Sequence, residues 1–327
     1  MKREQMEFRG CEYLPAARLP RPAAVDGVMV VDKPEGLTSF SVVHRIRRSL
    51  GIKKVGHCGT LDPLATGVLL VCFNQATRIS ELLSSQDKRY EFKVRFGFET
   101  DTLDKDGQVL RTYGGPPCSG LQLENTLDRF HGSYLQETPR FSAVRVQGRR
   151  LYDYARKGIS VEPPKREVRI YELELRAFQW PEATIEVYCS KGMYVRQLAS
   201  DIGRTLGCGA VVTGLRRLAS GRFCIEDSVR LEELERGAGD GCWQEAVLSM
   251  NQALEHLESF VVRDRDVLKA LSCGHLSTTW ETRMRETVRN PGGPVRVLAE
   301  DRRLAALWWP SQGAGRKSRL QVFRRDD

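Results

Sequence analysis

Asp62 is the residue best placed to do chemistry in this chain. It lies within Gly56-His57-Cys58-Gly59-Thr60-Leu61-Asp62-Pro63-Leu64-Ala65-Thr66-Gly67. Pro63 has a fixed φ and no N–H, and it pushes Asp62 out of the helical region into extended backbone. Gly56, Gly59 and Gly67 permit tight bends or close backbone approach. Val68 to Phe73 is then apolar without a break. That pattern marks a strand buried on both faces, although a short helix reads alike. A lone carboxylate therefore stands at the mouth of a core element. Such a group either braces a turn or serves as a nucleophile or base, and the residues alone leave both open.

Three further side chains have a charge or ring in a position that needs a reason. Lys191-Gly192 makes a turn, and the following helix places Val195, Leu198, Ile202 and Leu206 inward. Arg196 then falls in the first turn, at the positive end of the helix dipole, where a cation is disfavoured unless a carboxylate offsets it. From Lys88 to Thr100, Tyr90, Phe92, Val94, Phe96 and Phe98 share one face, while Glu91, Lys93 and Arg95 share the other. This is a half-buried strand with an aromatic face, and Tyr90 on it is either a core tyrosine or a ring offered to a ligand. Lys33 sits in the turn Asp32-Lys33-Pro34-Glu35-Gly36, where an ordinary surface lysine is equally at home.

The elements that must position these groups follow in order. Residues 1–24 are charged, then rich in proline, and read as a loose extension. Val28–Val31 is a short strand. Ser39 is a plausible N-cap for a helix carrying Phe40, Val43, Ile46 and Leu50 on one side. Thr100–Gly107 is acidic but fails the spacing of a calcium loop. Gly114–Pro117 breaks the chain, Leu121–Phe130 is helical, and Thr184–Cys189 is a strand. From about Phe260, four short apolar segments (Leu271–Gly274, Val295–Ala299, Leu304–Trp309 and Leu320–Phe323) suggest a small β-barrel.

Composition excludes several classes. A chain of 327 residues suggests two domains, or one with an appendage. Hydrophobic content of 41% and charged content of 28% are those of a soluble globular protein. No apolar run is long enough to span a membrane, and the N-terminus lacks the apolar core of a secretory signal. Nine cysteines without a CxxC pair read as reduced thiols of a cytoplasmic protein. Five scattered histidines offer no metal spacing, so no metal and no cofactor is expected. The formal net charge is +9. Its placement is more telling: His44–Lys54 carries no acid, Arg140–Arg169 has nine basic residues against three acidic, and Gly313–Arg325 has five against none. Separate basic segments suit a phosphate backbone crossing a broad surface, or else each is a solvated face.

The motifs together carry a resemblance. GHCGTLDPLATGVL resembles the catalytic signature of the TruB family of pseudouridine synthases, whose aspartate falls on Asp62. In order along the chain, Asp-Lys-Pro-x-Gly-x-Thr-Ser at 32–39, Lys-Arg-Tyr at 88–90, Lys-Gly-x-Tyr-x-Arg at 191–196 and Leu-Arg-Arg-Leu at 215–218 resemble further family motifs. The resemblance implies an α+β pseudouridine synthase fold, with a mixed, mainly antiparallel central sheet flanked by helices, over residues 25–255. It also implies an RNA-binding insertion at about 131–165 and a small PUA-like β-barrel at 258–327. It makes Asp62 the catalytic carboxylate, with Arg196 keeping it charged. Tyr90 is the ring on the target base, able to help take the C5 proton. Lys33 supports the loop, His57 helps hold the RNA open, and Tyr194 and Leu215 line the base. The implied substrate is uridine at position 55 of the tRNA T-loop, modified by a monomer with no guide RNA, no cofactor and no membrane. Two alternatives stay open: the same chemistry on another RNA, and a tRNA-binding or folding protein without catalysis.

Aromatics among arginines at 140–158 are what single-strand recognition needs, rings for bases and cations for phosphates. Arg149, Arg150 and Arg156 are the expected backbone contacts. Affinity for tRNA should fall as salt rises, by about 0.7 to 0.9 log units per log unit of salt for each contact. Neutralising the three arginines together should flatten that slope in a filter-binding titration. An unchanged slope means that they form only a solvated face.

Overall fold

The computed structural model describes residues 25–288, 293–311 and 318–323. The 1–24 extension and most of the third basic segment (313–317 and 324–325) lie outside the described residues. No described helix is long and apolar enough to cross a membrane.

One large sheet organises the chain. Its principal order is Val229–Arg230, Gly27–Lys33, Ala65–Phe73, Ala210–Ser220, Lys88–Phe96, Glu182–Cys189, Lys165–Gln179 and Gly132–Glu137. The Ala65–Phe73 strand runs parallel to Ala210–Ser220, and Gly27–Lys33 runs parallel to Val229–Arg230. The remaining pairings are antiparallel. The sheet is therefore mixed and mainly antiparallel, as expected.

Hydrophobic pattern decides how each strand is covered. Gly27–Lys33 and Ala65–Phe73 are the unbroken apolar runs, and both are covered on two faces. Met29, Val31, Leu69, Val71 and Phe73 face the helices Ser39–Leu50 and Val195–Leu206. Val28, Val30, Val68, Leu70 and Cys72 face Met250, Leu254 and the C-terminal residues Leu298, Leu304, Leu307 and Phe323. The alternating strand Lys88–Phe96 is covered on one face only, with Tyr90, Phe92, Val94 and Phe96 buried. It stops at Gly97 (φ 105°), and Phe98–Thr100 leaves to pair with Val109–Thr112 instead. The sequence pattern ran through this break because Phe98 keeps the alternation.

Two other expectations are corrected. Thr38, not Ser39, caps the first helix, its hydroxyl accepting from Ser41 N. The buried stripe is Val42, Val43, Ile46 and Leu50, while Phe40 is 73% exposed. Shifting the cap by one residue frees the Ser39 hydroxyl for a tertiary role described below. The C-terminal unit is an open sheet, not a closed barrel. Among the described residues it has four strands in the order Ser259–Val261, Val295–Leu298, Leu304–Trp309 and Arg319–Val322. Leu271 ends the helix Arg265–Ser272 instead of starting a strand. That helix and Thr278–Thr287 cover Val295, Val297, Ala306 and Trp308, so a helical layer replaces barrel closure. The strand Gly132–Glu137 belongs to the large sheet, and the segment standing off it runs from 138 to 164.

The catalytic-type loop is pinned where two strands meet. Gly67 has φ 100°, and a Cβ there would lie 2.2 Å from the Arg217 carbonyl oxygen across the parallel pair. Gly67→Ala should therefore lower stability by at least about 2 kcal/mol, from backbone strain and the forced separation of the strands. Urea melts check this, and an unchanged midpoint refutes the close approach.

Candidate active site

The loop from Gly59 to Ala65 is held by the segment that precedes the first helix. The Ser39 hydroxyl accepts from Leu61 N (2.8 Å) and donates to Leu61 O (3.1 Å). Gly36 N donates to Pro63 O at 2.8 Å. Lys33, wholly buried, donates through Nζ to Pro34 O (2.8 Å) and Pro63 O (3.3 Å). Burial pushes the Lys33 ammonium down to about 8, against the attraction of Asp62. Asp62 O closes the turn by accepting from Ala65 N at 3.0 Å. An extended Asp-Pro pair cannot satisfy its own backbone in a helix, so neighbours supply the bonds.

Asp62 is left with its side chain 36% exposed, and Arg196 is 5% exposed. Arg196 Nε donates to Asp62 Oδ2 at 2.9 Å. Its Nη1 donates to Thr102 O (2.7 Å) and Asp104 Oδ2 (3.4 Å), and its Nη2 to Phe141 O (3.1 Å). The cation at the helix start thus has two carboxylates and two carbonyls around it, which offsets both desolvation and the helix dipole. Asp62 Oδ1 has no hydrogen-bond partner among the described residues. One carboxylate oxygen is tied and the other faces open space.

Asp104 was missed from the sequence. Its turn was weighed only as a calcium loop, yet its carboxylate is what the second arm of Arg196 meets. Thr102 Oγ1 and Asp106 N donate to Asp104 Oδ1 at 2.6 and 3.2 Å. Burial pushes this carboxyl up, and the Thr102 hydroxyl and Arg196 work against that rise.

Tyr90 lies on the core face of its strand, directly across from Arg217. Burial pushes its phenol up. Leu215 is buried beside Ala65 and Phe92. Arg217 was also missed, although a signal existed: residues i and i+2 of a strand share a face, so an inward Leu215 brings Arg217 inward. His57 lies on the strand Val55–Cys58, partly buried, with Nδ1 unpartnered among the described residues. Burial, and then Arg217, push its imidazole down.

Tyr194 serves as the N-cap residue of the Val195–Leu206 helix. Gln136 grips its backbone, accepting from Tyr194 N (2.8 Å) and donating to Tyr194 O (3.1 Å), and Arg166 lies 5.4 Å over its ring. Arg149, Arg150 and Arg156 are exposed on the 138–164 segment. Tyr152 stands between two of them, with Arg150 and Arg156 at 5.7 and 5.5 Å from its ring. That segment reaches the site at one recorded hydrogen bond, Phe141 O on Arg196.

The chain is similar to proteins of a known group. Residues 47–195 match the family model described as TruB family pseudouridylate synthase (N terminal domain), and residues 196–261 match the tRNA pseudouridylate synthase B C-terminal domain. A relative named tRNA pseudouridine synthase B from Syntrophobacter fumaroxidans is 50% identical over 298 residues, covering 91% of this chain and 97% of its own. One of the same name from Geobacillus thermodenitrificans is 41% identical, covering 92% and 100%. The crystal structure of a Cbf5-Nop10-Gar1 complex contains a chain that superposes with a TM-score of 0.67 at 24% identity, over 91% of this chain and 84% of that one, a likeness of fold alone. Two family models and two near-full-length relatives agree in order and extent: this chain belongs to the TruB family of pseudouridylate synthases.

Proposed function

We propose that this protein isomerises uridine to pseudouridine in the T-loop of tRNA, at position 55, as an enzyme needing no guide RNA, cofactor or metal. The observation that carries this reading is the half-exposed Asp62, bonded to Arg196 through one oxygen and open at the other. Conversion of uridine to pseudouridine breaks a C–N glycosidic bond and makes a C–C bond at C5. Neither reacting carbon is open in a folded stem-loop, so the nucleotide must leave the stack. A carboxylate then acts on the sugar or the base, and Arg196 holds and aims Asp62. Tyr90 and Leu215 form the wall on which the flipped uracil rests. Tyr194 lines its far edge. Lys33 acts at one remove, by fixing the loop. His57, at the rim, helps hold the RNA loop open.

The names of the relatives support tRNA as the substrate. We assign the catalytic unit to residues 25–255 and a second RNA contact to the C-terminal unit at 258–327. The exposed arginines of the 138–164 segment take the phosphates of the T-arm, and the protein works as a monomer in the cytoplasm. A binding protein without catalysis needs no carboxylate with an open oxygen at the bottom of its site, which disfavours that alternative.

The purified protein, dialysed against a chelator, should convert an unmodified T-arm transcript, read by chemical labelling of pseudouridine. Asp62→Asn removes the charge but keeps the size, so binding should change by no more than a few fold while product disappears. Measurable turnover by the variant, or a requirement for added metal or guide RNA, overturns the assignment.

The charge partner is tested separately. Arg196→Met leaves Asp104 buried without its cation and should cost about 3–5 kcal/mol. Asp62→Asn should cost only about 1 kcal/mol, because Arg196 keeps Asp104, Thr102 O and Phe141 O. The double variant should be less destabilised than the sum, by roughly 0.5–3 kcal/mol of coupling. Denaturant melts of the four proteins measure it, and simple additivity means that the two side chains do not touch.

A further inference from the structure

Arg217 is the largest buried charge that the mechanism above leaves unused. It is 1% exposed. Its Nε donates to Val68 O at 2.6 Å and its Nη2 to Gly59 O at 3.2 Å, so both ends of the Asp62 loop fasten to it. No carboxylate forms an ion pair with it among the described residues. An arginine buried without an acid carries an uncompensated charge, which neighbouring groups must feel. Lys33, His57 and Lys88 all feel it unfavourably, the two lysines being pushed down to about 8 with burial as the first cause. Bracing two carbonyls does not by itself require a cation, because neutral donors do the same.

One neighbour gains from the charge. Tyr90 is the direct cross-strand partner of Arg217, a position from which side chains on one face touch. The groups acting on the phenol are Arg217, Cys189 and Asp62. Cys189 and Asp62 disfavour a phenolate, as burial does. Arg217 favours it by its charge.

We propose that Arg217 is a positioning residue for the final proton removal, acting through Tyr90: directly across the strand pair on the buried face, its charge stabilises the phenolate that takes the C5 proton. The inference rests on the pseudouridine synthase reading given above. After the new C–C bond forms, C5 carries both the sugar and its hydrogen. The C5–H bond then breaks, and its electron pair becomes the C5=C6 bond. The N1=C6 pair returns to N1, which takes a proton from water. The C5 proton goes to the Tyr90 oxygen, whose own proton has already passed to water. Protons balance, and no oxidant or reductant is needed. Asp62 and Arg196 serve the earlier steps, so two arginines divide the reaction: one beside the carboxylate and one beside the phenol.

A substrate without a C5 proton separates this role from loop bracing. RNA carrying 5-fluorouridine at the target position can be cleaved and rejoined through C5, but offers no proton there to remove. Arg217→Gln should lose conversion of uridine RNA by about 100-fold or more, yet rearrange the 5-fluorouridine RNA within a few fold of the wild type. Tyr90→Phe should show the same split. Arg217→Lys keeps a cation and covers the case in which the glutamine variant does not fold. It should melt near the wild type and retain part of the uridine activity. The rising limb of its pH–rate profile should move to higher pH with uridine RNA and stay in place with 5-fluorouridine RNA. Equal loss on both RNAs by a folded variant, or full uridine turnover without the guanidinium, overturns the proposal. Failure of the wild type on uridine RNA would instead overturn the proposed function itself.

Discussion

The site depends on one buried cation at a helix start. Arg196 enters the first turn of its helix, where the dipole opposes it, and where water is excluded. It is stable there only because three separate segments send oxygens to it: the Asp62 loop, the Thr102–Asp104 turn and the Phe141 carbonyl of the 138–164 segment, with Tyr194 and Gln136 fixing the helix start itself. A guanidinium has five donors in a rigid fork, so it can tie that many backbones at fixed angles. Lysine in its place would offer a point charge and no fork. The geometry of the carboxylate follows from this, because Asp62 has its second oxygen free only while its first is held.

Support for the loop comes from beneath as well as from beside it. Lys33, Gly36 and Ser39 bind the backbone of Leu61 and Pro63 from one side. Arg217 binds Gly59 and Val68 from the other. Gly67 permits the close passage of the Arg217 backbone that this needs. Behind the loop, the Ala65–Phe73 strand is packed on both faces, by the helices on one and by the C-terminal sheet on the other. Asp62 therefore sits in a loop that leads into a rigid central strand, while the exposed arginines sit on a segment with short strands and one short helix.

The C-terminal unit contributes to the core as well as offering a surface. Leu298, Leu304, Leu307 and Phe323 share one apolar cluster with Val28, Val30, Leu70 and Cys72. Arg78 reaches across to Val322 O and lies over Phe323. The second face of its sheet is taken by two helices. An open sheet with both faces covered has no need to close into a barrel.

What the sequence determined by itself was local and periodic. Unbroken and alternating apolar patterns located the core strands at Gly27–Lys33, Ala65–Phe73 and Lys88–Phe96, because those patterns are set by which faces are buried. Five ordered motifs led to Asp62, Tyr90 and Arg196, and a cation at a helix start announced a missing acid. The resemblance named Asp62 as that acid, and tertiary structure alone added Asp104. Asp62 lies 134 residues from Arg196 and Asp104 lies 92 away, and no local pattern records a pairing across such a distance. The partners of Ser39 and Arg217 were hidden for the same reason: each bonds a loop distant in sequence, and the inward face shared with Leu215 told only that Arg217 is buried, not what it meets. Helices replaced the expected barrel because short apolar segments such as Leu271–Gly274 do not distinguish strand from helix. Only the need to cover Val295, Val297 and Trp308 settled that question.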